Sequence, residues 1–136
     1  GPDSWGLTSS HGPTGYVVSS PASDFGLIAP TAALCSLPYL PEEAMNALRH
    51  FFQLPRAKMW GRFGFVDAFS QTSGWFARTY LGIDQGPVVA MIENHRTGLL
   101  WNLFMSAPEI QDGLRKLGFS SPHLAAARQE ILEPLG

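Results

Sequence analysis

The sequence predicts a mainly α fold, a helical bundle or part of a helical toroid, with a loop-rich first third and a small hairpin around residues 62–77. Three observations carry this prediction. Apolar residues recur at helical spacing in about five stretches from residue 29 onward. Pro2, Pro13, Pro21 and Pro30 alternate with Gly6, Gly12, Gly15 and Gly26 through the first thirty positions, which breaks regular elements there. A polar Gln-Thr-Ser turn between RFGFVDAF and GWFA interrupts the helical pattern in the middle of the chain.

In the first third, Tyr16, Val17 and Val18 allow only a brief strand, and so long an irregular segment needs another part of the fold to lie against. A short apolar helix is expected around Ala29 to Leu37. From Pro41, the residues Ala44, Met45, Leu48, Phe51 and Phe52 line one side of a helix, opposite Glu42, Glu43, Asn46, Arg49 and Gln53. Pro41 suits its first turn, Glu42 and Glu43 complement its positive end, and Pro55 lies past its last turn. After the hairpin, Gly86 and Pro87 are expected to open a helix with Val88, Met91, Ile92 and His95 on its inner face, and Gly98 to end or bend it. Leu99 to Met105 is apolar on nearly every side, the pattern of a helix buried all round. Ser106 to Glu109 has capping-box spacing, Ile110, Leu114 and Leu117 form the next stripe, and Gly118 supplies a left-handed stop. A last helix is expected over 122–132.

Composition narrows the function classes. The 136 residues carry 9 basic and 11 acidic side chains, a formal net charge of -2, with no basic cluster of the kind that phosphate backbones or anionic lipids reward. Nucleic acid is therefore not an expected partner. No apolar run approaches the roughly 20 residues that cross a bilayer, so no membrane insertion is expected. GPDSWGLTSS has no basic start followed by an apolar run, and no signal peptide is expected in it. The single cysteine, Cys35, cannot form an internal disulfide and reads as a small core residue.

There is no GxSxG elbow, Walker loop, HExxH or CxxC, and the four histidines are too scattered to suggest a metal site, so no metal and no cofactor are expected. What remains is carboxylates set among aromatics and glycines: Asp3 near Trp5, Asp24 near Phe25, Asp67 and Asp84. That mixture suits sugar. Aromatic faces stack on pyranose rings, while carboxylates and amides bind hydroxyls and move protons. Trp5, Tyr16, Trp60, Trp75 and Tyr80 are the candidate platforms, with core packing as the alternative role of each. Asp84 lies just before the helix expected at Gly86 or Pro87, where free amides favour the ionised form; this predicts a lowered pKa and a base, or a plain helix cap. Glu93, roughly 13 Å further along that helix, is beyond the roughly 5 to 9.5 Å of glycosidase carboxylate pairs. With Asn94 and Arg96 it suggests a structural polar cluster, such as a buried salt bridge.

The segments SWGLTSSHGPTGY, IAPTAALCSLPYLPEEAMNALRHFF, WGRFGFVDAFS and YLGIDQGPVVAMIENHRTGLLWNLFMSAPEIQDGLRKLGF, in that order, resemble the C-terminal part of the bacterial glucoamylase-like domain of endo-β-1,2-glucanases and cyclic β-1,2-glucan synthases. The resemblance covers nearly all of residues 1–119, with 120–136 as a helical tail. It implies the C-terminal portion of an (α/α)6 toroid, with a general acid upstream of the residues present here. It also implies action on a β-glucan, β-1,2-linked, as hydrolysis or transglycosylation, and a periplasmic or extracellular location. Asp84 corresponds to the aspartate of the GIDQGP motif and is the candidate base. Trp5, Trp60, Phe65, Asp67 and Gln85 carry over as residues that bind substrate or support the site. The expected partners are the glucan and either the N-terminal half of the domain or a second copy of the chain. Two departures stand out: members commonly have Ser-Asp-Gly-Pro where this chain has Ser10, His11, Gly12 and Pro13, and two acids where it has Asp24 and Phe25. Losing acids from cleft loops weakens the case for an intact glucanase site and leaves a changed substrate, or a non-catalytic carbohydrate-binding or structural module, as alternatives.

Overall fold

The computed structural model describes residues 1–121 and 124, so the helix expected over 122–132 lies outside the described residues. The chain forms two compact units, Gly1–Thr97 and Gly98–Gly136.

In the first unit, β1 (Ser10–Gly12) and β2 (Gly15–Val17) make an antiparallel hairpin that pairs His11 with Tyr16. The irregular first third does find a support. The Ile28 and Phe69 main chains exchange hydrogen bonds of 2.8 and 2.9 Å, and the Ala29 amide donates to the Gly6 carbonyl at 2.9 Å. Gly6 has φ +141°, and a Cβ there would collide with the Ala29 carbonyl, so this contact requires glycine.

Helices α1 (Pro30–Cys35) and α2 (Pro41–Gln53) follow, each with proline in its first turn. A single turn, α3 (Arg56–Met59), leads into two two-residue hairpins: β3 (Trp60–Gly61) with β4 (Gly64–Phe65), then β5 (Phe69–Ser70) with β6 (Trp75–Phe76). The second is the hairpin whose polar turn is visible in the sequence; the first has no comparable signal. Its position depends on Gly61, where a Cβ would overlap the Tyr80 hydroxyl. The core gathers Ala33 and Leu34 of α1, Ala47 and Phe51 of α2, Met59, Phe65, Val66, Phe69 and Ala77. Phe51 is its centre, edge-on to Phe65 at 5.9 Å and to Phe69 at 5.5 Å.

Helix α4 (Gly82–Thr97) packs on α1. It starts earlier than the sequence suggests, because the Asp84 and Gln85 amides both reach the Leu81 carbonyl at 3.0 Å and close a turn ahead of Pro87. Proline lies inside the helix at the cost of one backbone hydrogen bond. The expected inner face is also only partly covered: Val88 packs against the core, Met91 is half-buried, and Ile92 and His95 are exposed. Glu93 forms no buried salt bridge; its carboxylate meets Arg96 at 3.1 Å one turn on, in solvent.

The second unit contains α5 (Leu99–Ser106) and α6 (Pro108–Lys116), which pack on each other. The expectation that α5 is buried all round fails: none of its residues is buried, and Leu103 and Phe104 are 60% and 57% exposed. An all-round apolar helix needs neighbours on every side, and the described residues do not enclose it. The capping box fails as well, since Ser106 Oγ donates back to the Leu103 carbonyl at 2.8 Å and Ala107 is the N-cap. Gly118 does adopt the left-handed conformation, φ +79°, and ends α6 with the Phe119 amide on the Leu114 carbonyl. No helix among the described residues is long and apolar enough to cross a membrane.

Candidate active site

Asp84 sits in the first turn of α4, and the fold fixes that turn from two directions. The Thr31 hydroxyl of α1 donates to the Asp84 carbonyl at 2.6 Å. The Gln85 amide donates to the Phe65 carbonyl of β4 at 3.1 Å. Gln85 therefore ties the aspartate-bearing turn to the hairpin that carries Trp60.

Asp67 lies between β4 and β5, 1% exposed, with its amide donating to the Thr79 carbonyl at 3.2 Å. Its Oδ2 accepts the His11 main-chain N–H at 2.7 Å and lies 3.5 Å from His11 Nδ1. Asp67 is the charged group that acts on the Asp84 carboxyl. Asp67 Oδ1 and Asp84 Oδ2 are both buried and have no hydrogen-bond partner. The carboxylate neighbour of Asp84 is thus Asp67, from a different part of the chain.

This pairing reverses the expected titration of Asp84. Burial, then the hydrogen bond with Asp67, then repulsion from its charge push Asp84 up to about 6. A helix N-terminus favours the anion by only about 0.3–1 kcal/mol when exposed, and burial against a second carboxyl outweighs it. A consequence for stability follows. Between the ordinary value of 3.8 and about 6, the native state holds a proton that the unfolded chain has released, so this group destabilises the fold as pH rises through that window. Asp84→Asn should therefore melt at the same temperature as the unaltered protein near pH 4 and, by an order-of-magnitude estimate, a few degrees higher at pH 7. Thermal melts of both proteins across that range would measure it, and a gap independent of pH would contradict the assignment.

Burial pushes the thiol of Cys35, at the end of α1, above its ordinary value; the Thr31 hydroxyl opposes this, and Asp84 adds to it. Among the described residues, no group of three His, Cys, Asp or Glu side chains is placed to hold a metal ion.

The aromatic candidates divide by exposure. Trp60 is 41% exposed, supported edge-on by Phe65 at 4.8 Å and flanked by Phe52 at 5.6 Å. It borders two open grooves, one of about 620 Å³ with Phe52, Phe63 and Gln85, and one of about 790 Å³ with Trp75, Arg78 and Tyr80. Phe65 is buried and supports Trp60 from below. Trp5 is half-buried against the core and borders a separate hollow of about 400 Å³ with Asp24 and Gln71. The structure thus joins Gln85, next to Asp84, with Phe65 and Trp60 through direct contacts, ties Asp67 to His11, and leaves Trp5 in another hollow. Thr31 and His11 are contacts that sequence reasoning misses; a hydroxyl in an apolar helix was the only local hint of the first.

A sequence model of the glycoamylase family, described as putative glucoamylase, matches residues 1–108. The chain is 46% identical over 119 residues to an exo-β-1,2-glucooligosaccharide sophorohydrolase (non-reducing end) of Parabacteroides distasonis; the match covers 86% of this chain and 16% of that protein. Among solved structures, an endo-β-1,2-glucanase from Chitinophaga pinensis in complex with sophorotriose and glucose superposes with a TM-score of 0.84 at 54% identity. A protein from Bacteroides uniformis, described as a putative glucoamylase, gives 0.86 at 56%. Each match covers 91% of this chain and 30% of the solved one. The chain therefore spans less than a third of the length of these relatives.

Proposed function

Because the chain belongs to the glycoamylase family, we propose that it is the C-terminal portion of a glycoside hydrolase acting on β-1,2-glucan, with residues 1–119 contributing part of an (α/α)6 toroid. In this reading the chain works when joined to the N-terminal part of the domain, which supplies the general acid. Asp84 is the base. It takes the proton of the attacking hydroxyl as that oxygen bonds to the anomeric carbon, while the glycosidic oxygen leaves with a proton from the acid. The attacking hydroxyl belongs to water in hydrolysis and to a sugar in transglycosylation. Trp60, Trp5 and Gln85 bind or orient the glucan, and Phe65 and Asp67 support them.

The observation that carries this reading is the Asp67–Asp84 pair. A carboxyl that releases its proton near pH 6 is matched to moving protons close to neutrality, whereas an ordinary exposed aspartate is a weaker base. The relatives' activities, an exo-β-1,2-glucooligosaccharide sophorohydrolase and an endo-β-1,2-glucanase, support a β-1,2-linked glucan. The exposed apolar residues of α5 are consistent with a surface covered in a larger assembly, by the rest of the domain or by a second copy. A carbohydrate-binding module is the second reading, favoured by one observation: Trp60 borders both larger grooves and neither carboxylate lines them.

Calorimetry with linear β-1,2-glucan, together with an assay for new reducing ends, tests both readings. The chain alone should bind without cleaving, and Trp60→Ala should weaken binding by about five- to tenfold, the scale of one lost aromatic contact. Cleavage by the chain alone would place a general acid within it. Unchanged affinity in the Trp60 variant would make that ring a packing residue only.

A further inference from the structure

We infer that the groove of about 790 Å³ beside Trp60 binds a saccharide that carries an anionic group, with the sugar against Trp60, Trp75 and Tyr80 and the anion between Lys58 and Arg78. The formal charge of -2 conceals a local excess of the opposite sign. Four of the 9 basic residues, Arg56, Lys58, Arg62 and Arg78, fall within positions 54–80, where the one acid is Asp67, buried and bonded to the His11 amide. Lys58 and Arg78 line this groove, both are exposed, and no carboxylate lines it with them. Among the described residues neither makes an ion pair. Lys58 Nζ lies instead 5.5 Å from the centre of the Phe76 ring, which lines the same groove.

The two cations come from opposite walls. Residues 58–60 form one wall and 75–80 the other, and the main chain of 66–68 runs between them. The Val66 amide donates to the Met59 carbonyl at 2.9 Å, the Ala77 amide to the Ala68 carbonyl at 2.9 Å and the Asp67 amide to the Thr79 carbonyl at 3.2 Å. Hydrogen-bonded extended segments lie about 4.8 Å apart, so walls separated by one such segment stand roughly 10 Å apart. Long side chains close that span from both sides on a single charged group. Two cations facing each other with no acid between them repel, and an anion placed there removes the repulsion and pairs with both. The guanidinium fork of Arg78 matches two oxygens of a carboxylate or phosphate, and Lys58 adds a point charge. A neutral glucan uses the rings and leaves both charges to water, so the cations add affinity only for an acidic sugar. The sugar half of this inference rests on the chain binding a glucan; the anion half does not.

Calorimetry of the full chain with three ligands tests this: a linear β-1,2-glucan oligosaccharide, the same oligosaccharide oxidised to carboxylates at its primary alcohols, and the same phosphorylated there. At low salt the charged forms should bind about tenfold more tightly than the neutral one, the scale of two partly exposed ion pairs. That advantage should largely vanish near 1 M salt, where screening acts over about 3 Å. A chain of net charge -2 does not attract anions in general, so the preference has to come from a local site. Lys58→Ala and Arg78→Ala should each lower the ratio of charged to neutral affinity by about threefold, and the double variant should bring it to about one. Arg49→Ala, an exposed arginine outside the groove, should leave the ratio as it is. A preference for only one of the two modified glucans would identify the anion. Equal affinity for all three would overturn the inference and leave the proposed function standing, as would an advantage that survives the double substitution. Binding of the charged forms alone would uphold the inference and count against a neutral glucan as substrate, and binding of none would overturn both. If a variant does not fold, the three ligands on the unaltered chain decide alone.

Discussion

Asp84→Asn should lower β-1,2-glucan turnover by about 10²- to 10⁴-fold, the usual contribution of a positioned acid or base, in a protein that contains the whole domain. A suitable host is the Chitinophaga pinensis endo-β-1,2-glucanase carrying residues 1–119 of this chain in place of its own matching segment, given 54% identity and a TM-score of 0.84. Asparagine has the shape of aspartate and retains its place beside Asp67, but it cannot take a proton from an attacking hydroxyl. The loss should fall on kcat, with KM little changed, because the base acts in the transition state more than in substrate binding. The same substitution removes a like-charge contact, so the variant should be at least as stable as its parent at pH 7. A large loss of activity in a more stable protein cannot be ascribed to misfolding. Turnover within twofold of the parent would remove Asp84 from the chemistry.

Phe51→Ala should destabilise the first unit by about 3–5 kcal/mol. Phe51 is fully buried and meets Phe65 and Phe69 edge-on, so its removal leaves a cavity between α2 and two hairpins. Against the roughly 5–15 kcal/mol that a domain has in total, that is enough to leave much of the population unfolded in mild urea. The neighbouring ring gives the control. Phe52 is 46% exposed and lies against Trp60 and Phe65 on the groove side, so Phe52→Ala should cost clearly less. Urea unfolding followed by circular dichroism compares the two, and equal losses would mean that α2 presents a different face to the core.

The two rings of that comparison also show how far the sequence reaches. Helix α2 is legible because everything that specifies it is local: proline in its first turn, glutamates beside it, apolar residues three and four apart, and a proline after its end. The hairpin of β5 and β6 is legible for the same reason, through its polar turn. The hairpin of β3 and β4 is not, since what places it is Tyr80 over Gly61 and Gln85 on the Phe65 carbonyl, contacts made across some twenty positions. The start of α4 was misplaced because Pro87 looks like a first-turn proline, while the closing bonds come from Leu81 and the anchoring one from Thr31. The capping box before α6 satisfies the spacing rule, yet its serine bonds backward into α5.

By itself, then, the sequence determined a mainly helical family member, its chief helices and the aspartate worth watching, because periodicity, caps and a distinctive motif are properties of neighbouring residues. The tertiary structure decided the character of that aspartate. Asp67 is seventeen positions away from Asp84 and His11 more than seventy, and no local pattern reports that the three converge. Burial and like-charge contact act through space, and at Asp84 they outweigh the helix terminus that the sequence could see.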